Sequence, residues 1–338
     1  MKQYTHAWLS LKAIELLKSY SGEFSADRNK RVDRLLKFMS RHPSTFVRGA
    51  WFPDNIIKDN VRGGHTWKYS LDPANGREVT YRTPSHNNCN SFVKSELSKK
   101  VKLDKQISDL PDRCEALSQT IRDMILITNK VHRTDVILFN DSQIATLLLM
   151  LSHYVCDAHV PVHCDKRDLY DPSRVHEDLE AFWEKEIKKF YSVSTKLKQF
   201  DLDEKQNLQL DARYEKNFKK SVLCECDRVL KKSAWEKMNR KEKDWKDFLG
   251  KGNGNTWDYL VAVCLVSFHM SLKMFPVNPP GGIDYKDKKF RIMETSPYKE
   301  DVIEYSPYIL ADAINSVALV WLATWERWEL LEKVAVKK

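Results

Sequence analysis

Histidine and carboxylate side chains recur at four-residue spacing near the middle of this chain. His153 and Asp157 form one such pair, His176 and Glu180 form a second, and His163 lies between them. Residues four apart on a helix lie about 5–6 Å from each other on the same face. Imidazole and carboxylate groups are common zinc ligands, so the spacing predicts a metal site to which both pairs contribute.

The segments around both pairs have the composition of helices. Residues 144–156 are almost wholly apolar and lack glycine and proline, which predicts a buried helix whose last turns carry His153 and Asp157. Residues 174–190 also carry apolar side chains at helical spacing, which predicts an amphipathic helix that contains the second pair. A single pair is more typical of a hydrogen bond, but a buried carboxylate is costly without a partner. Two pairs with a third histidine between them favour metal binding.

The order of these motifs resembles that of the zinc-dependent phospholipase C and single-strand-specific nuclease superfamily. The similarity covers about residues 1–190, and it rests on HYVCDAHVPVH (153–163), HEDLE (176–180), THAWLSLKAIELL (5–17), WFPDN (51–55) and GGHTWKY (63–69). Beyond residue 180 the likeness is only to general helical character. The resemblance implies an all-helical fold with a trinuclear zinc site that hydrolyses phosphodiesters.

The resemblance also implies which residues hold two or three zinc ions. The groups are His65 with His153 and Asp157, His163 with His176 and Glu180, and His6 with Asp157 as a bridging carboxylate. Asp54 would lie beside the first group, either as a further ligand or as a general base.

The chain departs from the family at its first residue. In the family an N-terminal Trp, exposed by signal cleavage, completes the third ion with its amino group and carbonyl. This chain begins Met-Lys-Gln-Tyr-Thr-His without an apolar leader, so the Met1 amine is the candidate in its place. An α-amine must lose its proton to bind a metal, which a nearby dication can promote.

The charge of such a cluster suits a phosphodiester. Three divalent ions would bring six positive charges while Asp54, Asp157 and Glu180 return three, which leaves a local excess of about three. Zinc lowers the pKa of bound water toward about 7, so we expect a metal-activated water to attack phosphorus. Asp54 would orient or deprotonate that water.

Length and composition predict a mainly α protein. The chain has 338 residues and only 10 glycines, and alternating apolar and polar runs are few. We expect one multi-helix, phospholipase C/nuclease-like domain with long loops. Residues 1–192 would form the catalytic core, and residues 193–338 would complete it, with an irregular loop at 276–307 that forms a short hairpin or a lid. The predicted helices are 6–20, 28–40, 90–101, 111–131, 141–158, 173–192, 212–231, 233–249, 256–274 and 308–333.

Composition also bears on location and partners. The apolar runs 259–268 and 316–325 are shorter than the roughly 20 residues that span a bilayer, and mean hydropathy is −0.55. These values predict core helices and no transmembrane segment. Seven cysteines without a visible leader favour a cytoplasmic location, although the family is usually secreted. The basic stretch 228–251 is interrupted by acidic residues, which favours a solvated face over a nucleic-acid surface.

Three functions remain open at this point. A phospholipase C acting on phospholipid head groups is favoured by glutamate at position 180 and by the short gap from His163 to His176. A single-strand nuclease is favoured by the net charge of +9 and by the spacing from Met1 to His6. The third is a non-catalytic protein that keeps its metal and binds a phosphorylated partner.

Overall fold

The computed structural model describes residues 1–20, 26–42, 48–58, 64–71, 101–105, 109–130, 139–167, 169, 173–194, 199–232 and 256–336. Helices dominate these residues, and the strands form two two-stranded antiparallel sheets. The prediction of a mainly α protein is therefore confirmed. The helices are α1 Gln3–Tyr20, α2 Ala26–Met39, α3 Leu110–Lys130, α4 Asp141–Ala158, α5 Val175–Phe190, α6 Glu215–Phe218, α7 Val222–Lys232, α8 Thr256–Met274 and α9 Tyr298–Val336. The strands are β1 Tyr69–Leu71, β2 Val101–Leu103, β3 Val193–Ser194 and β4 Gln199–Phe200.

Several predicted elements differ from those observed. The predicted helix 212–231 is interrupted, because only α7 is continuous and a 3-10 turn and the single-turn α6 precede it. Residue 101 belongs to β2 rather than to a helix, while 90–100 and the predicted helix 233–249 lie outside the described residues. The region 276–297 contains 3-10 turns at Pro280–Gly282 and Ile292–Glu294 and no strand, so the suggested hairpin was wrong.

Helix α9 begins earlier than the sequence suggested. The predicted helix was 308–333, directly after Pro307, a residue type that lacks an amide hydrogen and usually ends a helix. The helix instead runs through Pro307 from Tyr298. Buried side chains on both sides of this proline, such as Val302 and Ile309, offset the missing hydrogen bond through packing.

Helix α4 carries two of the predicted ligands and lies in the core. At its start Asn140 and Gln143 form a reciprocal capping box, with bonds of 2.9 and 3.0 Å between each side chain and the other residue's amide. Its side chains from Leu148 to Ala158 are all buried. The helix ends at Ala158, and Pro161 then opens the 3-10 turn Pro161–Cys164.

Three neighbouring helices are hydrogen-bonded to α4. From α9, Trp321 Nε1–H donates to the carbonyl of Leu148 at 2.7 Å. From α8, the hydroxyl of Ser267 donates to the carbonyl of Ala158 at 2.6 Å. From α1, Ser10 contacts Ser152 with 2.9 Å between their hydroxyls. These bonds fix α4 at its middle and at its end.

One helical stretch among the described residues is long and apolar enough to cross a bilayer. It is Tyr298–Trp325, with 28 residues, so the expectation from the run 316–325 underestimated its length. However, 94% of its apolar window is buried against the rest of the protein. Such burial is typical of a core helix.

We expect Trp321→Ala to destabilise the protein by about 3–5 kcal/mol, the usual cost of deleting a buried indole. The side chain is completely buried, and its bond to Leu148 is lost as well. Urea unfolding followed by circular dichroism measures the change. Ile303→Ala, at an exposed position of α9, is the control. Equal midpoints for the two variants would show that α9 contributes little to the core.

Candidate metal centre

Three groups of imidazole and carboxylate side chains converge in this structure, and within each group the possible ligand atoms lie within 4.8 Å of one another. The groups are Asp54, His65 and His153; His6, His153 and Asp157; and His163, His176 and Glu180. Every residue predicted as a ligand therefore belongs to a group. The composition differs from the predicted one in two respects: Asp54 rather than Asp157 joins His65 and His153, and His153 also belongs to the group of His6 and Asp157.

Asp157 lies at the centre of these groups. It is 1% exposed. Its two carboxylate oxygens lie near the Met1 amine and four imidazoles, which come from four separate segments of the chain. The neighbouring atoms are His65 Nδ1 at 2.8 Å, the Met1 amine at 3.0 Å, His153 Nε2 at 3.1 Å, His6 Nε2 at 3.6 Å and His163 Nδ1 at 3.7 Å. A carboxylate so placed has the position of the bridging ligand that the resemblance implied.

Backbone carbonyls orient two of the histidines. His153 Nδ1–H donates to the carbonyl of Ala50 at 2.7 Å, and His163 Nδ1–H donates to the carbonyl of His65 at 3.0 Å. Each bond fixes the ring so that Nε2 faces the other ligands. Metal-binding histidines commonly make such a bond with the nitrogen that does not face the ion.

Backbone pairing places the loop of His65 beside the turn that carries His163. The amide of Trp67 donates to the carbonyl of His163 at 3.3 Å, and the amide of Lys166 donates to the carbonyl of Tyr69 at 2.9 Å. Two candidate ligands that are far apart in sequence are therefore held in register by main-chain bonds.

An ion pair with a buried carboxylate secures the same turn against α8. The guanidinium of Arg167 donates to both carboxylate oxygens of Asp165 and, at 2.6 Å, to the carbonyl of Phe275. Ser271 donates to the same carboxylate at 2.6 Å. Asp165 is completely buried, so these bonds satisfy a charge that would otherwise be costly.

The second pair, His176 and Glu180, forms its own group with His163 at the start of α5. His176 and Glu180 lie one turn apart, with 2.9 Å between His176 Nε2 and Glu180 Oε1. His163 Nε2 lies 3.0 Å from His176 Nε2 and 3.4 Å from the same carboxylate oxygen. The side chain of His176 is 25% exposed, so solvent reaches this side of the cluster.

The three carboxylates of the cluster are ionised at neutral pH. Burial raises the pKa of Asp157 and of Glu180, but the Met1 amine and nearby histidines hold both well below the usual range. Burial also raises the pKa of Asp54, yet the imidazole of His153 lowers it to about 2. The site therefore offers three negative charges to a cation.

Two cationic groups balance part of this charge. Burial lowers the pKa of the Met1 amine, but Asp157 and Glu180, at 3.0 and 2.6 Å, raise it to about 11. Burial likewise lowers the pKa of His153, and Asp157 and Asp54 raise it to about 10. Metal ligands must be deprotonated, so an ion bound at these atoms would displace both protons.

His6 provides the clearest test of whether the residues fit a metal. Its ring is completely buried and stacks on His153 with 3.8 Å between centroids. Burial holds its pKa well below the ordinary value, and neither ring nitrogen has a hydrogen-bond partner in the described part of the chain. An unsatisfied buried group costs about 1–3 kcal/mol. A cation between His6 Nε2 and Asp157 would satisfy it, so the donor set fits zinc.

Two contributors to the site were not anticipated from sequence. The carbonyl of Ala50 carries no sequence signal, because every residue has one. Glu184 accepts hydrogen bonds from Thr5, and a signal for it was present, since it follows Glu180 by four residues and shares its face of α5.

Comparisons with known protein families, with curated proteins and with solved structures find no match.

Proposed function

We propose that this chain is a zinc-dependent phosphodiester hydrolase with a phospholipase C/nuclease-like helical fold. The observation that carries the proposal is that two of the groups share His153 and that Asp157 of one group lies 2.8 Å from His65 of the other. Ions bound to shared ligands lie next to each other, and adjacent metals are typical of sites that cleave phosphate esters.

The balance of charge supports a phosphate substrate. Asp54, Asp157 and Glu180 are the carboxylates among the grouped residues. With two or three dications bound, the centre would carry net positive charge and would attract a phosphodiester anion. When bound, zinc would lower the pKa of a coordinated water and stabilise negative charge that develops on the phosphate oxygens.

Asp54 is suited to the role of general base. Its side chain is 35% exposed, whereas that of Asp157 is 1% exposed and that of Glu180 is 8% exposed. Asp54 Oδ1 lies 3.6 Å from His153 Nε2 and 3.7 Å from His65 Nδ1, at the edge of the cluster. This carboxylate is ionised at neutral pH, so it can accept a hydrogen bond from a water and orient it, and it is exposed enough to exchange a proton with solvent.

Among phosphodiesters, a phospholipid head group is the proposed substrate. The arrangement of His163, His176 and Glu180 supports this choice, because they form a compact group with glutamate as its carboxylate. A single-strand nuclease is the second candidate, favoured by the net charge of +9. Most of the basic stretch 228–251 lies outside the described residues. A metal-containing protein that binds phosphate without turnover is the third candidate.

Metal analysis followed by a substrate panel tests the proposal. We expect the purified chain to contain two or three zinc ions, measured by mass spectrometry after dialysis. It should release phosphocholine from phosphatidylcholine vesicles, and a chelator should abolish release until zinc is restored. The panel includes single-stranded DNA at two salt concentrations.

Each outcome selects one candidate. Zinc-dependent, salt-sensitive cleavage of single-stranded DNA without lipid cleavage would identify the nuclease. Stoichiometric zinc with no turnover on either substrate would favour the non-catalytic protein. A chain that binds no zinc after stripping and reloading would overturn the proposal as a whole.

A further inference from the structure

A second carboxylate on α5 contacts the start of α1, outside the three groups of ligands. Glu184 Oε2 accepts from the backbone amide of Thr5 at 3.0 Å and from its hydroxyl at 3.2 Å. Both residues are buried. The first amides of a helix have no partner within it, so Glu184 satisfies one of the donors that α1 leaves open.

A third residue completes this contact. Lys188 Nζ lies 3.0 Å from Glu184 Oε1 and 4.5 Å from the centre of the Tyr4 ring. The two carboxylate oxygens therefore have different partners, one on each helix. The negative charge also lies at the N-terminal end of α1, where the helix dipole stabilises it.

The contact determines where two groups of the centre lie. His6 follows Thr5 directly, and its Nε2 lies 3.6 Å from Asp157 Oδ1. The Met1 amine, one turn earlier, lies 2.6 Å from Glu180 Oε1. From consecutive turns of α5, Glu180 thus contacts the Met1 amine and Glu184 contacts the first turn of α1, although only Glu180 belongs to a group of possible ligands.

We propose that Glu184 is a positioning residue for the cation shared by His6 and Asp157. This positioning role rests on the proposed function, because it concerns the same candidate metal centre. Glu184 holds the first turn of α1 against α5, and this fixes the distance from His6 to Asp157. The other two groups draw on residues from Asp54 to Glu180 and do not use α1. Loss of Glu184 should therefore weaken the binding of one ion and leave the binding of the others unchanged.

Zinc titration of the metal-stripped chain tests this role. We expect Glu184→Leu to lower the affinity for the zinc ion held by His6 by about 10–100-fold, the usual effect of removing a residue that orients a metal ligand. Glu184→Gln keeps an oxygen that can accept from Thr5, so it should restore affinity. Glu186→Leu is the matched control, because Glu186 lies on the same helix and pairs only weakly with Lys189 at 3.8 Å.

A double-variant cycle with His6→Ala separates positioning from general stability. If Glu184 acts through His6, adding Glu184→Leu to His6→Ala should cause no further loss of zinc. The proposal would be overturned if Glu184→Leu caused the same loss of zinc in the wild-type and His6→Ala backgrounds. It would also be overturned if Glu184→Leu bound zinc with wild-type affinity. If Glu184→Leu does not fold, Thr5→Val replaces it as the test, because it removes only the hydroxyl bond to Glu184. Thr5→Val should weaken the binding of the same zinc ion, and an unchanged affinity would overturn the proposal. Wild-type protein that binds no zinc would instead refute the proposed function.

Discussion

Asp157→Asn is expected to remove most of the bound zinc and to lower phosphodiester hydrolysis by about three orders of magnitude. Losing the metal contribution forfeits several kcal/mol of transition-state stabilisation, and each 1.36 kcal/mol is worth tenfold in rate. Asp157 Oδ2 lies 2.8 Å from His65 Nδ1 and 3.1 Å from His153 Nε2, while Oδ1 lies 3.6 Å from His6 Nε2. An amide of the same size keeps the packing but loses the charge and one acceptor.

Mass spectrometry of dialysed protein and turnover under saturating substrate measure the two effects. Two ions depend on Asp157 by this geometry, so we expect the zinc held by His163, His176 and Glu180 to remain. Asp123→Asn serves as the control, because the side chain of Asp123 is 56% exposed and pairs only with the adjacent Arg122 among the described contacts. Undiminished zinc in Asp157→Asn would show that this carboxylate is not a bridging ligand.

The residues at helix ends explain which parts of the fold could be predicted. The bounds of α4 were predicted correctly because Asn140 and Gln143 cap its start and Pro161 follows its end. The start of α9 was not predicted, because the helix runs through Pro307, a local signal against a helix that its packing overrides. Local signals determine an element where they agree with tertiary packing, and they fail where burial outweighs them.

The candidate site divides in the same way. His153 with Asp157 and His176 with Glu180 could be found from helical spacing alone, since four residues bring two side chains to one face. Asp54 lies in the short π-helical turn Pro53–Ile57 and His65 lies in a separate turn, so no helical periodicity relates them to the other candidate ligands. Only the resemblance to a zinc enzyme family suggested them. Their convergence depends on tertiary contacts, such as the bond from His163 to the carbonyl of His65.

A second large effect is expected at Asp54, where Asp54→Asn should lower turnover by about 10²–10⁴-fold, the usual contribution of a general base. The zinc content should stay close to that of the wild type. His65, His153 and Asp157 would remain as three ligands of the same ion, with both imidazoles within 3.1 Å of an Asp157 oxygen. Three protein ligands and a water are sufficient for a catalytic zinc.

Turnover and zinc content, measured on one preparation, decide between the two roles open to Asp54. If hydrolysis falls while zinc is retained, the carboxylate acts on water; if zinc falls in proportion to hydrolysis, it is a ligand. Asn55→Ala is the matched control, since Asn55 is exposed on the same turn, Pro53–Ile57, and belongs to none of the three groups. The exposed position of Asp54, at the edge of a cluster whose other carboxylates are buried, favours the first result.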